Sequence, residues 1–293
     1  ILFSLKAFSQ DTLMPTIFLD DIIISEENNG FSKEDFFTYV KNDTTFYMGF
    51  KHLRYYSHNY ESQLRILDKK GNIKGALSRK GKHYSDGTHA WILDDSLNIE
   101  GKIYKRNGTY RFYTPKAFEE VFFPKDTINV SLKISSKKNK RESQNMRDAK
   151  TVGFSVGSEE TEQNKLGLRK KLAIFSAKMQ QYYNYILSDT IYNNKDCYVF
   201  TVQVKNDSNE DKVLIKKLTS FFDKENFNVI YREYKFDYNH LLFNIDMDII
   251  VHMDYIDNIH VPVKIYYKGI WNIMFFRPER AEFILSNTNY LIH

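Results

Sequence analysis

The clearest hydrophobic pattern lies in the last third of the chain. Phe243, Ile245, Met247, Ile249, Val251 and Met253 alternate with Asn244, Asp246, Asp248, Ile250, His252 and Asp254. Successive side chains of a strand point to opposite faces, so this spacing predicts one long strand, apolar on one face and mostly polar on the other. Its neighbours read the same way. Tyr182 to Ile191, a turn at Asn193-Asn194-Lys195-Asp196, and Cys197 to Val204 predict a long hairpin. Phe227 to Lys235 predicts a further strand after the turn Asp223-Lys224-Glu225-Asn226. Val261 to Lys268 and Trp271 to Phe276 continue the sheet, with Gly269 expected at a bend and Pro262 at the beginning or edge of its strand.

The first half mixes periods. Ile17 to Ile24 is rich in β-branched residues and predicts a strand, broken by Asn28-Asn29-Gly30. Ser32 and Asp35 resemble a helix start, and Phe36, Phe37, Val40, Phe46, Tyr47 and Phe50 follow partly helical spacing. One amphipathic helix lying on an apolar surface is expected there. Gln63 to Leu67, the turn Asp68 to Asn72 and Ile73 to Leu77 predict a hairpin; Ile103 to Lys105, Arg106-Asn107-Gly108 and Thr109 to Tyr113 predict a second. Thr114-Pro115 fits a helix N-cap followed by Pro at the first helical position, introducing a short helix Ala117 to Phe123 that Pro124 closes.

Long antiparallel strands with one apolar face need a cover, and two helices are available to supply it. The expected fold is therefore mainly β (α+β): a strongly curved antiparallel sheet, or half-barrel, with an N-terminal amphipathic helix and a short middle helix covering it. Residues 135–163 carry Lys137, Lys138, Lys140, Arg141, Arg147 and Lys150, then Glu159, Glu160 and Glu162, with little apolar material. They read as a mobile charged linker between residues 13–134 and 164–293, which are expected to share one sheet. Ala7 and Ser9 have the small-residue spacing a signal peptidase accepts, so residues 1–12 are expected to be the remnant of an export signal.

Composition narrows the class without naming a reaction. With 42% hydrophobic, 16% aromatic and 27% charged residues, the chain has the material for a sizeable core and is not a disordered polypeptide. A net charge of +5 is too small to predict nucleic-acid binding, which usually shows as a concentrated basic face. No apolar run approaches the roughly 20 residues of a membrane-spanning helix. The single cysteine, Cys197, excludes an internal disulfide framework and sits in a strand-like run as a small hydrophobe.

Three stretches carry a family resemblance. Ser85-Asp86-Gly87-Thr88-His89-Ala90-Trp91 resembles a turn into a strand, Asp196-Cys197-Tyr198-Val199-Phe200-Thr201-Val202 a central strand followed by the turn at Asp223, and Ile259-His260-Val261-Pro262-Val263-Lys264-Ile265 a late strand, of the half-barrel periplasmic lipoprotein carriers and outer-membrane lipoprotein-sorting proteins. The resemblance extends loosely to uncharacterised exported proteins of Gram-negative bacteria. It implies a curved sheet around a hydrophobic cavity, a periplasmic location, lipid or lipoprotein acyl chains as partners, and no cofactor or catalysis. On that reading Phe243, Ile245, Met247, Ile249, Val251 and Met253 would line the ligand site. The alternative is an envelope protein with a filled core, whose edge strands or linker bind another protein.

Catalytic patterns are sparse. Gly153-Phe154-Ser155-Val156-Gly157 matches G-x-S-x-G, but no strong buried strand precedes it and no amphipathic helix follows immediately, as a serine-hydrolase nucleophile would require. His83, Asp86 and His89, or His252, Asp254, Asp257 and His260, could hold a metal if three or four ligands converged; spacing alone fits a solvated face or turn as well. No Gly-rich phosphate loop or dinucleotide fingerprint appears.

Overall fold

A computed structural model describes residues 33–131, 173–205, 212–240, 243–273 and 278–292. The strand expected at 17–24, the charged segment 135–163 with its Ser155, and residues 274–276 lie outside the described residues. The chain opens with two helices, α1 (Lys33–Asn42) and α2 (Thr45–Tyr55), where one was expected. The break is at Asp43, whose Oδ1 accepts from the Thr45 amide at 2.9 Å and the Thr45 hydroxyl at 2.6 Å. A short polar side chain bonding the backbone locally competes with continuation of the helix.

The hairpin β1 (Ser57–Leu67) and β2 (Ile73–Ser85) follows, then β3 (His89–Gly101), α3 (Tyr113–Phe122) and the two-residue β4 (Ile128–Asn129). The short helix α4 (Ala177–Gln180) leads into β5 (Tyr183–Tyr192), β6 (Lys195–Val204), β7 (Ile215–Asp223) and β8 (Val229–His240). The long strands β9 (Phe243–Ile256), β10 (Ile259–Ile273) and β11 (Glu279–Leu291) complete the order. Asn193-Asn194 and Asp257-Asn258 form two-residue turns with φ between 47° and 66°, the left-handed conformation that tight hairpins require and asparagine tolerates.

All eleven strands form one antiparallel sheet in the order β4-β3-β2-β1-β11-β10-β9-β8-β7-β6-β5. The sheet is not closed, and it matches a curved half-barrel. Register can be followed through a single rank of side chains: Leu77, Leu64, Phe283, Tyr267, Ile249, Tyr234, Leu218, Val202 and Tyr185, taken from β2 across to β5. These residues belong to the continuous apolar core, Tyr185 at its partly buried margin. The polar alternates, such as Asp246 and Asp248, point to the other face.

Several local expectations need correction. The second hairpin shrinks to an isolated bridge between Tyr104 and Tyr110, because Tyr113 already begins α3. Thr114 is not the N-cap; Phe112 is, and it provides no side-chain cap. The exposed donors of the first turn instead find Glu279 of β11, whose carboxylate accepts from the Tyr113 amide at 2.5 Å, the Thr114 amide at 2.9 Å and the Thr114 hydroxyl at 3.0 Å. Gly269 makes no bend: β10 runs through it, paired with Met247 and Ala281. A Cβ there would collide with the Tyr267 ring, so glycine lets that tyrosine lie down on its own strand. Pro262 sits beside a register shift near one end of β10, and its carbonyl accepts from Asn287 Nδ2 at 3.0 Å and the Tyr290 hydroxyl at 2.7 Å.

Candidate functional site

The three larger helices all lie on the apolar face of the sheet, each on its own sector. Phe36 of α1 meets Tyr198, Phe200 and Phe222 at 5.2 to 6.1 Å between ring centroids, while Phe37 meets Phe175 and Tyr185. Phe46 of α2 lies tilted against Tyr234 and under the Arg232 guanidinium, whose carbon is 4.2 Å from the ring centre. Gly49 brings α2 close to β9 and β10, since a Cβ there would strike Met253. On the far sector, Phe118 of α3 lies 5.0 Å from Tyr267 and 4.3 Å from Phe283.

Arg232 fastens the break between α1 and α2 to the sheet. It is 5% exposed, donates from Nε to Ser220 Oγ at 2.8 Å, and places a terminal nitrogen 3.7 Å from Asp43 Oδ2. The same Asp43 defines the helix break through its other oxygen, so one buried carboxylate ties the local turn to the floor beneath it.

The row expected to line a ligand site is on this floor. Ile245, Met247, Ile249, Val251 and Met253 are all at most 5% exposed and belong to the core beneath the helices. Phe243 occupies the first position of β9, opposite His240 and Ile273; its side chain lies outside the described residues. None of these residues lines the cavity described next.

That cavity, about 40 Å³, opens at the seam between α2 and α3, over β1, β2 and β11. Its apolar wall includes Phe50 and Leu53 of α2, Phe122 of α3 and Leu285 of β11, and its polar members are Arg54, His58, Tyr60, His83 and Asn287. His58 and His83, paired across the β1–β2 hairpin, stack with centroids 4.7 Å apart and planes 17° apart, and Tyr290 stacks on the other side of His58. His58 Nδ1 lies 2.9 Å from the Tyr56 carbonyl. Burial lowers the pKa of His58 to about 3, helped by the neighbouring His83. It lowers that of His83 to about 4, helped by Arg54. Both rings are therefore neutral at neutral pH. Two buried atoms at this seam lack a hydrogen-bond partner: His83 Nδ1 and Asn287 Oδ1.

The seam cavity is a candidate site that the sequence pattern left unmarked. A trace of it was present: His58, Tyr60, Ser62, Leu64 and Ile66 share one face of β1, grading from polar to apolar along a single strand. The metal alternatives do not assemble. His83 is buried in the seam, whereas Asp86 and His89 form an exposed turn with a 3.8 Å contact. His252 lies 2.6 Å from the Tyr192 hydroxyl on the outer face, while His260 is buried between the Thr45 and Val229 carbonyls under α2. Cys197 is fully buried, and burial raises its thiol pKa, which disfavours the thiolate.

Comparison with known proteins gives a fold likeness. Similar solved structures include a DUF1329 family protein from Desulfovibrio piger, at 10% identity and TM-score 0.26, covering 84% of this chain and 89% of that one. A domain described as outer membrane lipoprotein-sorting, from Vibrio parahaemolyticus, gives 11% identity and TM-score 0.28, covering 84% and 90%. A LolA superfamily protein from Nitrosomonas europaea gives 9% identity and TM-score 0.24, covering 85% and 93%. At such TM-scores the superpositions are loose, and the account of the fold rests on the sheet's own pairing. No family model and no curated protein matches the sequence.

Proposed function

We propose that the protein is a non-catalytic, exported binder of acyl-bearing molecules, a lipid or a lipid-modified protein, working in the periplasm of a Gram-negative envelope. The observation that carries this reading is the construction of the apolar face. It is an open, unclosed sheet whose cover consists of separate short helices, with a cavity at the seam between two of them. A core meant only for stability gains nothing from such a seam, since interiors pack with few voids. An acyl chain would enter between α2 and α3 and spread along the floor as the helices move aside. Ile245, Met247, Ile249, Val251 and Met253, with Phe243 at the end of the row, would form the wall it meets. Replacing helix contacts with chain contacts keeps apolar area out of water, at roughly 25 cal/mol per Å² on either side of the exchange. The adaptable side chains of Met247 and Met253 suit a wall that must accept both.

The test is native mass spectrometry of the chain produced with its export signal, followed by denaturing lipid analysis. A stoichiometric acyl-bearing mass is the expected result. A clean apo mass that resists added lipid overturns the reading. Met247→Asp is expected to abolish uptake, with circular dichroism showing that the variant is folded; retained uptake would remove that residue from the wall.

A second reading is favoured by a different feature. Trp91, Leu93, Leu97 and Ile99 of β3 are between 39% and 56% exposed, on a strand whose outer edge pairs with β4 only at His89 and Ala90 among the described residues. Such an edge can accept another chain as an added strand. If the mass spectrum is clean, this edge becomes the place to look for a protein partner.

A further inference from the structure

We propose that the outer edge of β3 is the interface of a homodimer, in which a second copy of this chain adds its own β3 antiparallel about a two-fold axis at Asn98. The inference extends the second reading of the exposed edge by giving it a definite occupant, and it stands apart from acyl binding.

The edge is open over most of its length. Among the described residues β4 pairs with β3 only at His89 and Ala90, and beyond them no strand adjoins the outer side of β3. An unpaired edge presents a row of backbone donors and acceptors to any strand that fits it. Two local features bound the stretch available. Asp95 is the extra residue of a bulge against β2, between Asp94 opposite Gly81 and Ser96 opposite Lys80. Gly101 closes the strand with φ at +66°, where a Cβ would strike the Lys74 carbonyl oxygen. Between bulge and turn lies the regular segment Ser96 to Glu100, with Asn98 at its midpoint.

That segment carries its own complement. Leu97 and Ile99 lie opposite Arg79 and Leu77 of β2, so both belong to the covered face of the sheet. Arg79 and Leu77 are each 8% exposed, yet Leu97 and Ile99 are 44% and 45% exposed. The cover reaches β2, where Glu119 of α3 stands 3.7 Å from Arg79, and leaves the next strand bare.

Directly opposed residues of antiparallel strands share a face, so self-pairing must match positions that point the same way. Three two-fold axes near the midpoint do so. An axis at Leu97 sets Asp95 of each copy against Ile99 of the other, a charge against an apolar side chain. An axis at Ile99 sets Leu97 against Gly101, which has no side chain to offer. An axis at Asn98 sets Leu97 against Ile99 of the second copy, twice by symmetry, as an isologous interface requires. It also sets the Ser96 hydroxyl against the Glu100 carboxylate. At each end Asp95 comes beside Gly101 and Lys102 of the second copy, bulge against closing turn and acid against base. An unrelated strand would have to bring this pattern with it, whereas a second copy already has it. The product is one continuous sheet with both covered faces on the same side.

The test uses the whole chain. Light scattering after size exclusion, over roughly 1–200 µM, is expected to show a monomer–dimer equilibrium with a Kd on the order of tens of micromolar, as suits one short strand pair. Leu97→Lys/Ile99→Lys sets cations against each other across the axis and is expected to weaken dimerisation at least about tenfold. Both positions are exposed, so circular dichroism and thermal unfolding should not change. Asn98→Cys reads the register. Under mild oxidation it is expected to give a disulfide-linked dimer, because position 98 meets itself at the axis, within the reach of about 7 Å that a disulfide allows. Ser96→Cys alone should stay unlinked, since the two copies of position 96 would stand roughly 13 Å apart. Ser96→Cys/Glu100→Cys should link. The native Cys197 is buried, and the unsubstituted chain controls for it. A monomer throughout the range, a dimer indifferent to the two lysines, or equal cross-linking of Asn98→Cys and Ser96→Cys overturns the proposal. Bound lipid is read from the native mass spectrum of the same protein, so the acyl-binding reading stands or falls separately.

Discussion

Two sectors of the covered face are built differently. Under α1 and α2 the cover is dry and aromatic: Phe36 interlocks with Phe200 and Phe222, Phe46 lies against Tyr234 and Arg232, all with almost no exposed surface, and the buried Arg232 is directed at a carboxylate that also shapes the chain. At the seam between α2 and α3 the floor changes to His58, Tyr60, His83 and Asn287, and the packing leaves room. The lesson is a division of labour within one sheet. The dry sector packs ring against ring, whereas the seam combines looser packing with buried polar side chains, two atoms of which, His83 Nδ1 and Asn287 Oδ1, have no hydrogen-bond partner.

If that division is right, mutations should separate the sectors. Phe222→Ala in the dry sector is expected to cost about 3–5 kcal/mol, read from the chemical-denaturation midpoint. Arg232→Ala is expected to cost a similar amount, about 3–5 kcal/mol, because it strands Asp43 in the interior. The double variant Arg232→Met with Asp43→Asn should recover most of that loss, and a double variant as weak as the single would show that charge is not the cause.

The seam should respond mainly to pH. His58 and His83 have folded pKa values of about 3 and about 4, both below the ordinary value of 6.5. Depressed histidine pKa values mean that the unfolded chain binds protons first. Stability is therefore expected to be full above about pH 6.5 and to fall towards pH 4 and 3, by up to about 1.4 kcal/mol per pH unit for each ring. Unfolding curves of His58→Phe/His83→Phe should lose most of this slope below pH 6, and an unchanged slope would place the acid sensitivity elsewhere. The smallest effect concerns α3. Glu279→Gln leaves an acceptor for its first turn but removes the charge, and about 1 kcal/mol is expected to be lost in thermal or denaturant unfolding. Burial raises the Glu279 pKa, so the folded state takes up this proton before the unfolded chain does, and the difference should widen as the pH falls and the carboxylate protonates.

The legible parts of the sequence were those where one face meets water and the other a cover. β9 is the plain case, because Asp246 and Asp248 alternate with Ile245, Met247 and Ile249 without interruption. β11, and β3 beyond the turn at Ser85 to Trp91, went unread for separable reasons. In β3 the pairing passes from Asp94 opposite Gly81 to Ser96 opposite Lys80, so Asp95 is extra and the alternation changes phase mid-strand. In β11 the apolar run Ala281, Phe283 and Leu285 is bracketed on the same face by Glu279 and Asn287, polar residues buried for partners on α3 and β10. Nothing near Glu279 in the sequence announces that it caps a helix starting at Tyr113. The cavity was invisible for a similar reason: its members come from α2, α3, β1, β2, β3, β4 and β11, and only the assembled sheet brings them together.

The pairing of β1 with β11 also bears on when the molecule can form. Leu64 and Phe283 face each other although more than two hundred residues separate them, and their two strands occupy the middle of the sheet rather than an edge. Local hairpins such as β1–β2 and β9–β10 can close early, but the junction between the two wings waits for the last long strand, and contacts of such sequence separation are slow to establish. A chain built this way stays in two unfinished pieces until nearly all of it is available. On the proposed export reading, a closing step held back to the end would also guard against folding before the chain has been threaded across a membrane.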